Sequence, residues 1–152
     1  MVKTMSLEKW AEYGWLKAEP TSPEEIRALF EIVARDLNDA KVEAISDDRR
    51  FEAAFNAART AAYAALRACG YRTTMQVGHH QKTIESLELT IKADPRLVQK
   101  MRVFSKKRNA TSYDAAGNVS AQELKEAIGV AGELRESVTA WLRETHPELM
   151  DR

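Results

Sequence analysis

Apolar residues recur at intervals of three and four along most of the chain, which is the period of amphipathic helices, and alternation with a period of two is absent throughout. "SLEKWAEYGWLKA" places Leu7, Trp10, Ala11 and Gly14 on one face behind a Ser6 cap, predicting a short helix that "EPTSP" stops. "SPEE" then signals a strong helix start. Ser22 takes the N-cap, Pro23 the first helical position, and Glu25 follows the cap by three. Ile26, Leu29, Phe30, Val33, Leu37 and Ala40 recur behind it at helical spacing, so this helix is expected to reach about Glu43. A third helix opens at Ser46 with two dipole-favoured aspartates, buries Phe51, Phe55, Ala58, Ala62, Leu66 and Cys69, and stops at Gly70. Its many alanines let neighbouring helix axes approach closely.

"GYRTTMQVG" reads as a loop and "HHQKTIESLELTI" as a fourth helix. Asp94-Pro95 starts a fifth, with Leu97, Met101 and Phe104 inward and its cations mostly outward; "YDAAGNV" is the turn that follows. "SAQE" is a second capping box, Ser120 with Glu123, and the long last helix carries Leu124, Ala127, Ile128, Ala131, Leu134, Val138 and Trp141. The predicted fold is all-α: one domain over residues 1–152, with a short helix in 1–20 and an up-and-down four-helix bundle over 22–145. Trp10, Trp15 and Trp141 are expected in the core or at a dimer contact.

Composition narrows the class further. With 44% hydrophobic and 30% charged residues the chain has the balance of a soluble globular protein and not a disordered one. No apolar run approaches the roughly 18 residues of a membrane span, and "MVKTMSLEKW" has no apolar core of signal-peptide length. The lone Cys69 forms no internal disulfide, which fits a reducing cytoplasm, and reads as a small buried hydrophobe rather than a nucleophile. A cytoplasmic location and no membrane contact are expected.

The formal net charge of zero conceals segregation. Arg96, Lys100, Arg102, Lys106, Lys107 and Arg108 lie between Pro95 and Tyr113 with no acid among them, leaving 17 cations against 23 acids elsewhere. Such a segment steers an anion such as phosphate, or is a solvated helix face paired with acidic neighbours.

"RRFEAAFNAA", "ACGYR", "GHH", "KKRNATSYDAAGNVS" and the closing "WL", taken in order over roughly Ser22 to Leu142, resemble small bacterial members of the HEPN (higher eukaryotes and prokaryotes nucleotide-binding) superfamily. The resemblance implies a four-helix bundle, commonly dimeric. Catalytic members are metal-independent ribonucleases with an arginine, a polar residue, a short spacer and a histidine near the dimer interface. Many belong to toxin–antitoxin pairs, often beside a nucleotidyltransferase-like partner, while others are non-catalytic binding modules. Carried onto this chain, the arginine falls on Arg108, the polar residue on Asn109, and the histidine position on Tyr113.

Metal-free RNA cleavage needs the 2′-hydroxyl deprotonated or aligned, the phosphorane charge stabilised and the leaving oxygen protonated. Arg108 suits the second task, because a guanidinium forks onto phosphate oxygens and stays charged. Tyr113, with an ordinary pKa of about 10, is a poor base at neutral pH and is left to align the sugar. Lys106, Lys107 and Arg102 would hold the nucleic-acid backbone. His79 or His80 would supply an imidazole if the loop before the fourth helix folds over the motif or reaches across a dimer; otherwise they are helix-entry residues making capping and surface contacts. Asn56 and Tyr63 either lend polar groups to the same cleft or hydrogen-bond between helices. No cluster has metal-ligand spacing, so neither metal nor cofactor is expected. The alternative is a non-catalytic dimeric module whose basic edge docks an acidic partner such as an antitoxin or nucleotidyltransferase-like protein.

Overall fold

Serine residues punctuate the chain where its helices begin. The hydroxyl oxygens of Ser6, Ser22, Ser46 and Ser120 each accept from the backbone N–H three residues on, at 3.1–3.3 Å for the first three and 3.0 Å for the last. At Ser120 the bond is reciprocated, its own N–H donating to Glu123 Oε1 at 2.8 Å. Each such cap satisfies an N–H that the helix cannot bond internally, and its loss costs about 1 kcal/mol.

The computed structural model describes residues 5–74, 78–113 and 118–150, side chains excepted at 110–113. In chain order the elements are α1 (Leu7–Glu12), β1 (Leu16–Ala18), α2 (Pro23–Ala40), α3 (Asp47–Ala68), β2 (Tyr71–Thr73), α4 (His79–Glu85), α5 (Leu87–Thr90), α6 (Pro95–Tyr113) and α7 (Ala121–Thr145), then a 3₁₀ turn at Pro147–Leu149. The architecture is the all-α bundle expected, with α2, α3, α6 and α7 as its long helices. No helix among the described residues is long and apolar enough to cross a membrane.

The central member is α3, packed against α2 and α7 along its length and against α4, α5, α6 and β2 in turn. Its expected stripe widens to most of the circumference, because Ala54, Ala57, Ala61, Ala64 and Ala65 are buried as well. A helix apolar nearly all round belongs in the middle, and small side chains let several neighbours approach it at once. Phe51 on α3 meets Phe104 on α6 edge to face, ring centres 5.7 Å apart.

Four boundaries differ from the expected ones. Helix α1 ends at Glu12, well before "EPTSP", and Leu16–Ala18, read as the end of that helix, is strand β1. Helix α2 ends at Ala40, short of Glu43. Ala40 is the last buried residue, 41–46 are exposed, and Arg50 Nε from α3 donates to the Ala40 carbonyl at 2.8 Å, capping the helix there. The predicted fourth helix divides into α4 and α5 at Ser86, whose buried hydroxyl donates to the Thr83 carbonyl at 2.6 Å. The stretch after Gly70, expected as loop, begins with a strand: β2 pairs antiparallel with β1, Leu16 opposite Thr73 and Ala18 opposite Tyr71. Three residues per strand are too few to show alternation. The left-handed Gly14 (φ 83°) and Gly70 (φ 89°) turn the chain into these strands, a conformation that costs glycine little. The expected turn at Tyr113–Val119 lies largely outside the described residues.

A buried arginine holds the ribbon in place. Arg67, 1% exposed on α3, donates Nε and Nη2 to the two carboxylate oxygens of Glu25 at 3.0 and 2.9 Å. It also donates to the carbonyls of Glu19, Pro20 and Tyr71 at 3.0, 2.9 and 3.1 Å. The α1–β1 segment is further pinned by a small second core of Trp10, Leu16 and Leu66. Lys82 of α4 lies over it, with Nζ 3.6 Å from the Trp15 ring centre. Trp141 is half-buried against His146, ring centres 5.1 Å apart.

Candidate functional site

The core-facing stripe of α6 runs Val98, Met101, Phe104, all buried, and the next position one turn on is Arg108. Arg108 therefore occupies a place where the apolar pattern would otherwise continue, and its guanidinium turns toward α3 rather than into open solvent. Its side chain is 32% exposed, and Nε lies 3.9 Å from Glu52 Oε2 on α3. Neighbours on α6 diverge: Asn109 is exposed, and Lys107 turns to α7, Nζ 3.2 Å from Glu123 Oε2.

The facing surface of α3 carries Glu52, Asn56, Arg59 and Tyr63 at steps of three and four, so the four share one side. Asn56 donates Nδ2 to Asp36 Oδ2 on α2, and its Oδ1 accepts from Arg59 Nη2 at 2.6 Å. Asp36 is 5% exposed and also pairs with Arg35 at 3.0 Å. A buried carboxylate thus orients an amide, and the amide orients a guanidinium. Burial and the nearby Arg108 cation lower the pKa of Arg59, with Asp36 opposing. Both guanidiniums stay charged at any physiological pH, so two cations from different helices repel across the cleft.

Two histidines complete the group. His79 and His80 open α4 behind Gly78, a left-handed N-cap (φ 87°) that makes no side-chain cap bond, and their rings lie 4.0 Å apart. The pKa of His80 is lowered to about 4 by lost hydration, then by Arg59, His79 and Arg108. His80 is thus a neutral imidazole at pH 7, able to accept a proton. Beside it opens a pocket of about 250 Å³ between α2, α3, β2 and α4, with Arg59, Tyr63, Arg72, His79 and His80 in its lining. Both histidines are therefore in the wall of this pocket.

The fold and this cleft can now be set beside known proteins. A family model described as the HEPN domain matches residues 26–141, from the first turn of α2 to the last turns of α7. The chain belongs to the HEPN family. No curated protein and no solved structure matches it. The HEPN span contains Arg108, Asn109, Tyr113 and every residue of the cleft, while α1 and β1 lie ahead of it.

Of the residues singled out in the sequence, this HEPN fold brings Arg108 and His80 within electrostatic reach of each other and of Arg59, bonds Asn56 to Arg59, and lines the pocket with His79, His80 and Tyr63. Asn56 hydrogen-bonds between helices, to Asp36 of α2, which is one of the two readings left open for it. Tyr113 is the last residue of α6; its side chain lies outside the described residues. The outer cations do not converge on the cleft. Arg102 pairs with Glu85 at 3.5 Å, Lys107 with Glu123, and Arg96 with Asp94 at 2.8 Å, so much of the acid-free segment is balanced by its own and neighbouring elements. Lys106 is exposed on the same helix. Among the described residues no group of three or more His, Cys, Asp or Glu could hold a metal ion. Burial raises the pKa of the half-buried Cys69 thiol, leaving it protonated at neutral pH.

Two participants were missed in the sequence, Arg59 and Asp36. Each carried a signal: Arg59 lies one turn from Phe55 on a helix apolar nearly all round, and Asp36 adjoins Leu37 on the buried stripe of α2. A charge at a core-facing position needs a partner or a task.

Proposed function

We propose that this HEPN protein binds RNA or a nucleotide phosphate in the cleft between Arg59, Arg108 and His80. One observation carries the reading: two guanidiniums from separate helices converge beside a neutral histidine, and an anion lying among them relieves their repulsion. Charge-assisted bonds from two arginine forks hold a phosphate in position as well as in charge. The setting suggested by the family is a homodimer acting on RNA as a metal-independent ribonuclease of toxin–antitoxin type.

In the catalytic form Arg108 stabilises the crowded phosphorane and Tyr113 aligns the sugar hydroxyl. His80 supplies what the tyrosine lacks, a neutral imidazole that takes the 2′-hydroxyl proton as the 2′-oxygen attacks phosphorus; the P–O5′ bond breaks, the 5′-oxygen leaves with a proton from solvent, and a 2′,3′-cyclic phosphate remains. Burial is the main cause of the lowered His80 pKa, and bound phosphate offsets the Arg59 and Arg108 charges that add to it, so the imidazole's basicity rises where it is used. The competing reading, a basic edge docking an acidic protein, is disfavoured by the carboxylates already beside Arg96, Arg102 and Lys107.

RNA cleavage in EDTA tests the catalytic form, comparing wild type with Arg108→Ala, His80→Gln and Tyr113→Phe. Loss of cleavage in the first two supports it; cleavage indifferent to Arg108→Ala refutes it. Binding of RNA that weakens with salt, without cleavage, leaves a binding protein. Tyr113→His then asks whether restoring the family residue restores turnover.

A further inference from the structure

The pocket beside the cleft is built differently from the cleft itself. Its α2 wall is Leu29 and Ile32, apolar residues that helical spacing alone would assign to the core but that the bundle leaves partly uncovered. The Tyr63 ring stands on the α3 side, its far part packed against the second core of Trp10, Leu16 and Leu66. Thr60 and Thr73 also line this space, and Thr73 is only 7% exposed. Cations are concentrated at Arg59, which lines the pocket and is also the cleft residue nearest to it in function, and at Arg72, held by Glu19 at 3.3 Å.

We propose that this pocket is the subsite for one unstacked nucleobase of single-stranded RNA, the base that adjoins the phosphate held by Arg59 and Arg108. The inference rests on the phosphate reading above and adds to it a place for the base. Three features select that ligand. The volume of about 250 Å³ lies just under the roughly 300–1,000 Å³ of pockets for drug-sized molecules, which suits a single planar ring system. Apolar and aromatic walls cover the faces of a base, and threonine hydroxyls, which both donate and accept, suit its edge. A charged mouth against an apolar floor fits a ligand with one anionic end, whereas a sugar would leave Leu29 and Ile32 without a partner. Single-strand recognition of this kind combines a cationic track with a side chain on which a base packs.

The test titrates the full chain with nucleoside 5′-monophosphates, ribose 5-phosphate and inorganic phosphate, in wild type, Arg59→Gln, Ile32→Trp and Thr60→Leu. Packing of a base on an aromatic side chain is worth about 5- to 150-fold in affinity. At least one nucleoside monophosphate should therefore bind wild type about tenfold or more tighter than ribose 5-phosphate. In Ile32→Trp, which fills the pocket from α2, that ratio should fall to about one. Thr60→Leu fills it from α3 and gives the same readout should the first variant fail to melt cooperatively. A wild-type ratio near one overturns the base subsite and leaves the phosphate site standing, as does a ratio that survives both filling variants. If neither ribose 5-phosphate nor inorganic phosphate binds, and Arg59→Gln changes nothing, the phosphate reading falls and takes this inference with it.

Discussion

Replacing Arg67 with methionine removes six hydrogen-bonded contacts at once, one of them the 3.5 Å bond to Glu19 Oε2, while keeping most of the side-chain volume. Glu25 loses its bidentate partner, and the carbonyls of Glu19, Pro20 and Tyr71 lose their donor. Breaking a buried ion pair from one side costs about 3–5 kcal/mol. The Glu25 side chain is 38% exposed and recovers water, which places the expected loss near the lower end, at about 3 kcal/mol. For a domain of this size each kcal/mol moves Tm by about 2–4 °C, so thermal unfolding followed by circular dichroism should fall by about 6–12 °C. The pH dependence follows from Glu25, whose pKa is lowered chiefly by its bond to Arg67. A depressed carboxylate stabilises above its unfolded pKa and loses that contribution as pH falls through the folded one. The gap between wild type and Arg67→Met should therefore be full at pH 7 and narrow below the ordinary glutamate value. A Tm within 2 °C of wild type at pH 7 would refute the clamp. Because Arg67 also holds the start of β2, which carries Arg72 and Thr73 to the pocket, the variant should bind nucleotides more weakly even where it is folded.

Asn56→Leu cuts the link between Asp36 and Arg59; it should lower Tm by a few degrees, since hydrogen bonds to charged groups contribute about 1.5–3 kcal/mol, and weaken RNA binding several-fold in a filter or fluorescence assay. His80 governs a pH profile: its pKa near 4 in the folded chain lies under the unfolded value, so its contribution to stability is present at neutral pH and is lost as pH falls through about 6.5 to 4. A phosphodiester dinucleotide, whose single charge is constant over that window, should bind more tightly as pH falls and take up a proton on binding, measured by calorimetry in buffers of different ionisation enthalpy. His80→Gln should abolish both effects.

The bundle was legible because helix signals act locally. The Ser22, Ser46 and Ser120 caps and the spacing of Ile26, Val33, Leu37 or Leu124, Ala127, Leu134 report on their own helices with no need of a partner. The ribbon was not, since Leu16–Ala18 and Tyr71–Thr73 become strands only by finding each other across more than 50 residues. The site shows the same division. Arg108 stood out in a contiguous motif, whereas the Asp36–Asn56–Arg59 relay joins two helices and exists only once they pack. The cations of α6 mislead for the complementary reason: a run with no acid in sequence acquires Glu85 and Glu123 from other elements in space. His79 and His80 line a pocket with Arg59, a neighbourhood that their own stretch of sequence does not announce.

The salt dependence of single-stranded RNA binding, measured for wild type beside Arg59→Gln/Arg108→Gln, tests the central claim most directly. Each phosphate contact on a single strand contributes about 0.7 to the slope of log K against log salt. The account predicts a double variant that folds as wild type does, binds at least tenfold more weakly, and has a slope shallower by about 0.7–1.4. A double variant with unchanged affinity and unchanged slope would contradict it.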